Sequence, residues 1–577
     1  MKKIIFPITF VLSIFSMAQI KQGDVNVNRK DDIQQGSVTV NRVYEPNVEA
    51  AEKIKQTPQE KTEIQKKYQP SYTPKDLAAA SDFETSTLRA EELPVENSRN
   101  FRNYFEAGYG NNSNLDLNAF VDYEFDESSS IGVSAGYRSA KANLKNSIID
   151  DGFTHFNADG FYRYNLANAV AKVGIGARLS GYDLYGYAPE ITSTQIGKNN
   201  YLSYTHLKAY GIYDIFDSYW LNDIKAEYHF FRSNYKSREN HIKLNANVGS
   251  KDLFDFSLLG SESFGLISKG NLEFLNSHFD FSFLQQRKAY NFLNLGLTPQ
   301  IAWLGDFIDI TAGANIQYLN QPEGQNKVYI APQAEFTVKP TPEFNFLGGI
   351  NGGVDLRSFQ ELADFNPYLF GHQALKPSIN RLGFYIGLKG DVGSDFKYTV
   401  TAGYQKLENI LGFLNVPFSY SSAVPFGNGN TFHSYYDDGN RNHLEANINY
   451  FGINNLDLNA VLNYQKFNLN NLKEVYEVPT LQASLGANYR LLQQKLKLGG
   501  DIFFVGSRKT WVGEDFSAGE EANLNSYLDL NLNARYQITN QWNVFIKGQN
   551  LINNNYQRFY HYRVQGAHII GGIMFKF

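Results

Sequence analysis

Tyr527-Leu-Asp-Leu-Asn-Leu-Asn-Ala-Arg-Tyr536 alternates without a slip. Leu528, Leu530, Leu532, Ala534 and Tyr536 take one side, and Tyr527, Asp529, Asn531, Asn533 and Arg535 the other. A period of two is the repeat of a β-strand, whose successive side chains point to opposite faces. The pattern recurs up the chain. Leu481, Ala483, Leu485, Ala487 and Tyr489 alternate with Gln482, Ser484, Gly486, Asn488 and Arg490. Leu115 to Phe125, Ile131 to Arg138 and Ala169 to Ser180 read the same way. Half-buried strands also build soluble sheets. Three features favour a membrane: runs of roughly ten residues or more suit a tilted crossing, many apolar faces end in Tyr or Phe as an interfacial girdle requires, and short turns (126–129, 166–168) alternate with long loops (139–152, 182–200).

Composition agrees. Mean hydropathy is −0.39, yet aromatics reach 15%. Half the strand positions of a barrel face lipid and half face water, which gives a polar average rich in aromatics. After the first eighteen residues no stretch has the ~18 consecutive apolar residues of a membrane helix. The expected fold is all-β: a transmembrane antiparallel barrel of about 22 strands (20–24) over residues 101–577. Closure favours an even number with both termini on the periplasmic side. Residues 251–288 decide between 22 and 24, because 253–259 and 278–284 both read as strands without a clean hairpin between them.

The N-terminus reads as an export signal. Lys2 and Lys3 precede an apolar stretch, and Ser16-Met17-Ala18 predicts cleavage after Ala18. Residues 19–100 hold 15 Leu, Ile, Val and Phe and two Gly, with Pro46, Pro58, Pro70, Pro74 and Pro94 as punctuation. That is too little apolar content for a core. The expectation is a mostly extended periplasmic tail that contacts other outer-membrane or periplasmic proteins. Val25-Asn26-Val27 and Val38-Thr39-Val40 within it are short alternating pieces suited to adding as edge strands.

Few chemistries remain open. Without Cys there is no disulfide, thiolate ligand or thiol nucleophile. The ten His fall in no metal-ligand spacing, and a net charge of −5 gives no basic face for nucleic acid. Ser421 and Ser422 lie near His433 and Asp437, but the spacing carries no catalytic motif. No enzyme, cofactor or metal is expected. Inward-facing Asp116, Asp122, Lys172, Arg178, Asp457, Arg490, Lys497, Asp529 and Arg535 imply a hydrated lumen or ion pairs that brace it. Loops 359–380, 411–430 and 509–524 carry Phe365, Tyr368, Phe413, Phe418, Tyr420, Trp511 and Phe516. Those aromatics either stack on a sugar or a partner, or pack the loops into a lid.

The last fifty residues carry a resemblance. Trp542-Asn-Val-Phe-Ile-Lys-Gly-Gln-Asn-Leu-Ile552, then Asn553-Asn-Asn-Tyr556 and the ending Ile573-Met-Phe-Lys-Phe577, resemble the closing strands of TonB-dependent receptors. Asn366-Pro-Tyr-Leu369 in a long loop and Val478-Pro479 opening a strand also recur in such barrels. The resemblance implies an outer-membrane location, lipid as solvent, and Phe577 with Phe575 as the signal read by the barrel-assembly machinery. TonB-dependent receptors carry a plug domain, and residues 19–100 are too few and too polar to make one. The N-terminal tail instead resembles those of plugless receptor-like barrels. Two functions follow as expectations: a membrane component of a transport or secretion/assembly complex, or TonB-dependent uptake of a glycan, peptide or metal complex with a separate or reduced plug.

Overall fold

The computed structural model describes residues 102–577, apart from 143, 145–146, 194, 197–199, 217, 219, 258–260, 282–285, 323–325, 419–428 and 514. The export signal, the segment 19–100, Tyr420, Ser421 and Ser422 therefore lie outside the described residues. From residue 102 onward the chain is strand after strand, in this order: β1 (Tyr104–Gly110), β2 (Leu115–Glu124), β3 (Ser129–Ala140), β4 (Phe153–Asn165), β5 (Ala169–Asp183), β6 (Tyr201–Ile215), β7 (Leu221–Ser233), β8 (Arg238–Phe256), β9 (Glu262–Phe281), β10 (Gln286–Gly305), β11 (Ile308–Asn320), β12 (Lys327–Thr341), β13 (Phe344–Asp355), β14 (Ser378–Val392), β15 (Phe396–Asn415), β16 (Phe432–Ile453), β17 (Leu456–Leu469), β18 (Leu481–Leu491), β19 (Leu496–Val505), β20 (Arg508–Val512), β21 (Glu520–Leu524), β22 (Tyr527–Gln537), β23 (Trp542–Gln549), β24 (Gln557–Phe559), β25 (Tyr562–Arg563) and β26 (His568–Lys576). One short helix, α1 (Phe359–Phe365), interrupts them between β13 and β14.

Each wall strand pairs antiparallel with its neighbours, and β1 pairs with β26, so the sheet closes on itself. The closed wall has 22 strands. β20 and β21 form a hairpin between β19 and β22, which pair directly, and β24–β25 is a separate small hairpin. Closure leaves the wall no edge to lipid. The stretch 251–288 resolves into the ends of longer strands. Residues 253–256 finish β8, and 278–281 finish β9. Among the described residues neither forms a separate strand, so the expected 22 holds over the rival 24. A register shift between Ser250 and Phe254, with Gly249 at φ +95°, breaks the alternation there and explains the ambiguity.

The two ends differ. Ten connections of at most five residues lie at the end where β1 begins and β26 finishes. The other end carries the long ones: 356–377, 416–431, 506–526 and 550–567. Strands run further into the loops than expected, so 411–415 belongs to β15, and Val478-Pro479 lies just before β18. The outer face is an apolar belt in which Ile175, Ile330 and Ile386 are each more than 65% exposed. Phe125, Phe216, Trp220, Phe254, Phe307, Phe344 and Trp542 ring its short-turn end as an interfacial girdle.

The turn 550–556 shows why its sequence is as it is. Asn550 and Asn553 adopt positive φ, which Asn tolerates. The Asn550 side chain accepts from the Asn554 N–H at 3.1 Å and donates to its carbonyl at 3.1 Å. Tyr556 stacks on Tyr527 at 3.7 Å and donates to Asp529 at 2.7 Å.

Candidate functional site: the long-loop mouth

The segment between β13 and β14 turns inward. Ser358 caps α1, accepting from the Glu361 N–H at 3.1 Å, while the Glu361 carboxylate accepts from the Ser358 N–H at 3.2 Å. The helix buries Phe359, Leu362, Ala363 and Phe365. Glu239 on β8, itself buried, accepts from the Phe359 N–H at 2.7 Å, the Gln360 N–H at 3.1 Å and the Ser277 hydroxyl at 2.6 Å. A carboxylate on the first-turn N–H groups satisfies donors that a helix leaves unpaired. Lys243 of β8 reaches Glu361 at 3.4 Å, and Arg178 of β5 reaches Asp364 at 2.5 Å.

The same segment grips the opposite wall. Phe365 stacks on Phe413 of β15 at 5.3 Å. Phe370 N–H donates to the Phe432 carbonyl, and Phe432 N–H to the Tyr368 carbonyl, at 2.9 and 3.0 Å. β5 and β16 are eleven strands apart either way around the ring of 22, so the segment crosses the full width of the mouth. A second crossing supports it: the Asn430 side chain, just before β16, donates to the Leu184 carbonyl, just after β5, at 2.7 Å. Tyr368 sits where these meet. Its ring lies 3.4 Å from Tyr562 and packs against Tyr182, Tyr185 and Phe559. Burial pushes its hydroxyl pKa up to about 12. One continuous apolar cluster runs from wall residues Tyr204, Phe231, Phe279 and Tyr290 through the helix to Phe432 and Phe559.

Of the loop aromatics singled out from sequence, Phe365 and Phe413 are buried in this cluster and half-buried Tyr368 is packed into it. Trp511 and Phe516, on and beyond β20, are half-buried in a smaller cluster with Leu414, Tyr435 and Tyr476. Phe418 is half-buried, beside Gly429. Phe575 and Phe577 stack on each other at 5.7 Å at the barrel's far end. His433 meets the His372 carbonyl, and Asp437 accepts from Asn471 and the Leu472 N–H, a loop-capping role. Among the described residues no group of His, Asp and Glu could hold a metal ion.

The inner wall below is braced by ion pairs. Arg490 pairs with Asp457, Lys208 with Asp159, and Lys547 with Glu106 and Asp116. The sequence reading missed a row on β6 to β9 beneath the helix. His206 contacts His229 at 3.0 Å, and His241 contacts Glu273 at 2.7 Å. Only strand pairing brings these together. The reading also missed α1 by taking 359–380 as loop, although Ser358-x-x-Glu361 ahead of Leu362 and Phe365 was a signal that could have found it.

Glu477, in the loop before β18, is 1% exposed. Burial raises its pKa to about 7, against the lowering influence of Arg508, the Thr510 hydroxyl and the Tyr560 N–H. Its folded pKa lies above the ordinary 4.5, so the folded loop binds the extra proton. The stability this gives is complete below pH 4.5 and lost as pH rises through 7. The difference is on the order of 3 kcal/mol. Amide exchange of residues 470–480, corrected for the intrinsic rate, should rise across that window and flatten in Glu477→Gln. An equally steep rise in the variant would place the titration elsewhere.

No protein-family model matches the chain, and no curated protein does. Solved structures do. The pyoverdine outer-membrane receptor FpvA of Pseudomonas aeruginosa superposes with a TM-score of 0.59 at 13% identity, over 84% of this chain and 79% of that one. The siderophore receptor PirA of Acinetobacter baumannii gives 0.60 at 10%, over 82% and 80%. The copper transporter OprC gives 0.55 at 11%, over 82% and 80%. At such identities the likeness is one of fold.

Proposed function

From an outer-membrane barrel with the fold of the TonB-dependent receptors, we propose a transport barrel kept closed at its outer face by its own loops, serving as the membrane component of a transport or secretion/assembly complex. The observation that carries this reading is the segment 356–377 gripping both β5 and β16. A lumen of this many strands is wide enough to leak unless something fills it. Short turns and both ends of the barrel chain belong on the periplasmic side, and the long loops outside. Residues 19–100 are then the periplasmic contact for partner proteins. Gentle extraction from native membranes should co-purify a stoichiometric partner that is lost when 19–100 is deleted. A tag in loop 509–524 should label on intact cells, and one at residue 95 only after permeabilisation. The reverse labelling would invert the orientation.

A second reading, TonB-dependent uptake with a separate or reduced plug, is favoured by the shared fold with a pyoverdine receptor and a copper transporter. Loss of uptake of one metal complex in cells lacking the protein, with the same loss in cells lacking TonB, would select it over the first.

Insertion is expected to depend on the C-terminal strand. It turns Ile569, Ile573 and Phe577 outward, where charge costs roughly 2–4 kcal/mol at mid-bilayer and less at the interface. Deleting Phe577 should lower the yield of heat-modifiable barrel, and an unchanged yield would count against a sorting role for Phe577 and Phe575.

A further inference from the structure

On the outward face of β7 to β10, three successive rows change character toward the long-loop end. The lowest is apolar: Tyr228, Ile242, Phe274 and Leu293 pair strand to strand. The next holds Phe230, Asn240, Asn276 and Asn291, where Tyr228 donates to Asn240 at 2.8 Å and Asn276 donates to Asn291. The third holds Arg232, Arg238, His278 and Ala289. This row faces outward because its chain neighbours Phe231, Glu239, Ser277 and Tyr290 are buried on the lumen side. Arg232 and Arg238 are both exposed and stand directly opposite each other. Side chains so paired are about 4.5–5.5 Å apart at Cβ, where like charges are destabilising. Among the described residues no carboxylate pairs with either guanidinium, and the next outward residue of β9, Asp280, meets Arg287 at 3.7 Å. Lys236, exposed at the hairpin tip, adds charge of the same sign, and neither that tip (233–237) nor the loop 282–285 contains Asp or Glu.

Height says what can satisfy the pair. Trp220, 81% exposed, belongs to the girdle at the short-turn end, and β7 rises from it to Arg232 without interruption. Twelve residues at about 3.4 Å each, tilted by roughly 35–45°, climb about 30 Å. The apolar band of such barrels is only about 25 Å tall. Arg232 and Arg238 therefore lie just beyond the hydrocarbon, at the depth of lipid headgroups. Two guanidinium forks side by side match the oxygens of a phosphate, which accept in bidentate fashion. We propose that Arg232 and Arg238 together hold the phosphate of an anionic lipid in the leaflet at the long-loop end. Its acyl chains lie on exposed Ile242, Leu244, Leu272 and Phe274 directly below, and the bound phosphate relieves the repulsion that the register imposes.

The purified full-length barrel in dodecylmaltoside supplies the test, with dioleoyl phosphatidic acid as the probe and dioleoyl phosphatidylcholine as the control lipid. Native mass spectrometry should show phosphatidic acid retained in preference to phosphatidylcholine. Arg232→Gln combined with Arg238→Gln should lower the bound fraction by roughly tenfold. Lys406→Gln, which removes an exposed outward cation on β15, should leave it unchanged. Arg238→Glu separates binding from folding. It sets opposite charges across the pair, so without lipid the heat-modifiable form should survive to at least the wild-type temperature. Its retention of phosphatidic acid should nevertheless fall as far as in the double variant. Undiminished binding in the double variant or in Arg238→Glu overturns the proposal, and so does an equal loss in Lys406→Gln. Millimolar inorganic phosphate should not displace the lipid; displacement would make this a site for free anions and overturn the lipid assignment. None of these readouts depends on which way the long loops face or on what the barrel transports, so they are separate from the tests of orientation and function.

Discussion

Replacing residues 358–375 with a short Gly-Ser linker is expected to convert a silent barrel into a conducting one. In planar bilayers the intact chain should show no steps, and the shortened chain large, long-lived ones. The segment spans from Arg178 of β5 to Phe432 of β16 and lies across the lumen. Its hold is mainly apolar: Phe359, Leu362, Phe365, Leu369 and Phe370 are all buried. Fully burying a side chain of this size is worth about 1.5–3 kcal/mol. The polar contacts fix the register, since Glu239 accepts from the helix N-terminus only in this pose. A milder variant separates closure from folding. Tyr368→Ala removes the ring at the meeting point of Tyr182, Tyr185, Phe559 and Tyr562, and large-to-small changes of this kind cost about 3–5 kcal/mol in a core. Brief openings are then expected from a barrel that still migrates as folded. A shortened chain that stays silent would mean the lumen is closed elsewhere.

The barrel was legible because alternation is local. Leu528 to Tyr536 shows its two faces within nine residues, and the wall only repeats that statement. The reading stayed ambiguous where a bulge breaks the period, as at Ser250–Phe254. It also could not choose between two fates for the loop aromatics. Tyr368 meets Tyr562, and Phe365 meets Phe413; an aromatic in a long loop looks the same in sequence whether it waits for a ligand or packs on a distant loop. The inward charges were assigned to the correct face but not to partners. Arg178 pairs with Asp364 and Lys547 with Glu106, and such separations follow from closure of the ring, which no window of sequence contains.

Lys547 is where closure and charge meet, and Lys547→Met is expected to destabilise the barrel by roughly 3–5 kcal/mol, the usual cost of breaking one side of a buried ion pair. β26, the last strand, lies between β23 and β1, and its inward side at this level is Ile570, Gly572 and Met574. Gly572 leaves the room needed: a Cβ there would lie 2.4 Å from the Phe545 ring. Across this low ground Lys547 of β23 reaches Glu106 of β1 at 2.6 Å and Asp116 of β2 at 3.1 Å, and Arg535 of β22 reaches Glu106 at 2.7 Å. The contacts tie the first two strands to strands on the far side of the last one, so they brace the seam where the ends of the barrel chain meet. Glu106, Asp116 and Lys547 are each less than 10% exposed. Methionine keeps the stem but leaves the buried Glu106 carboxylate to Arg535 and strips Asp116 of its cation, with the Asn118 amide donating to it at 2.8 Å. The midpoint of urea unfolding in detergent should fall, and so should the temperature at which the heat-modifiable form is lost. Restoring neutrality is the control. Because replacing a whole buried ion pair by apolar or neutral groups is often tolerated, Lys547→Met combined with Asp116→Asn, which leaves the Glu106–Arg535 pair intact, should recover most of the loss. A double variant as unstable as Lys547→Met alone would point to lost packing over Phe545, which the ammonium overlies at 4.6 Å, and an unchanged midpoint in the single variant would remove the seam from the account of stability altogether.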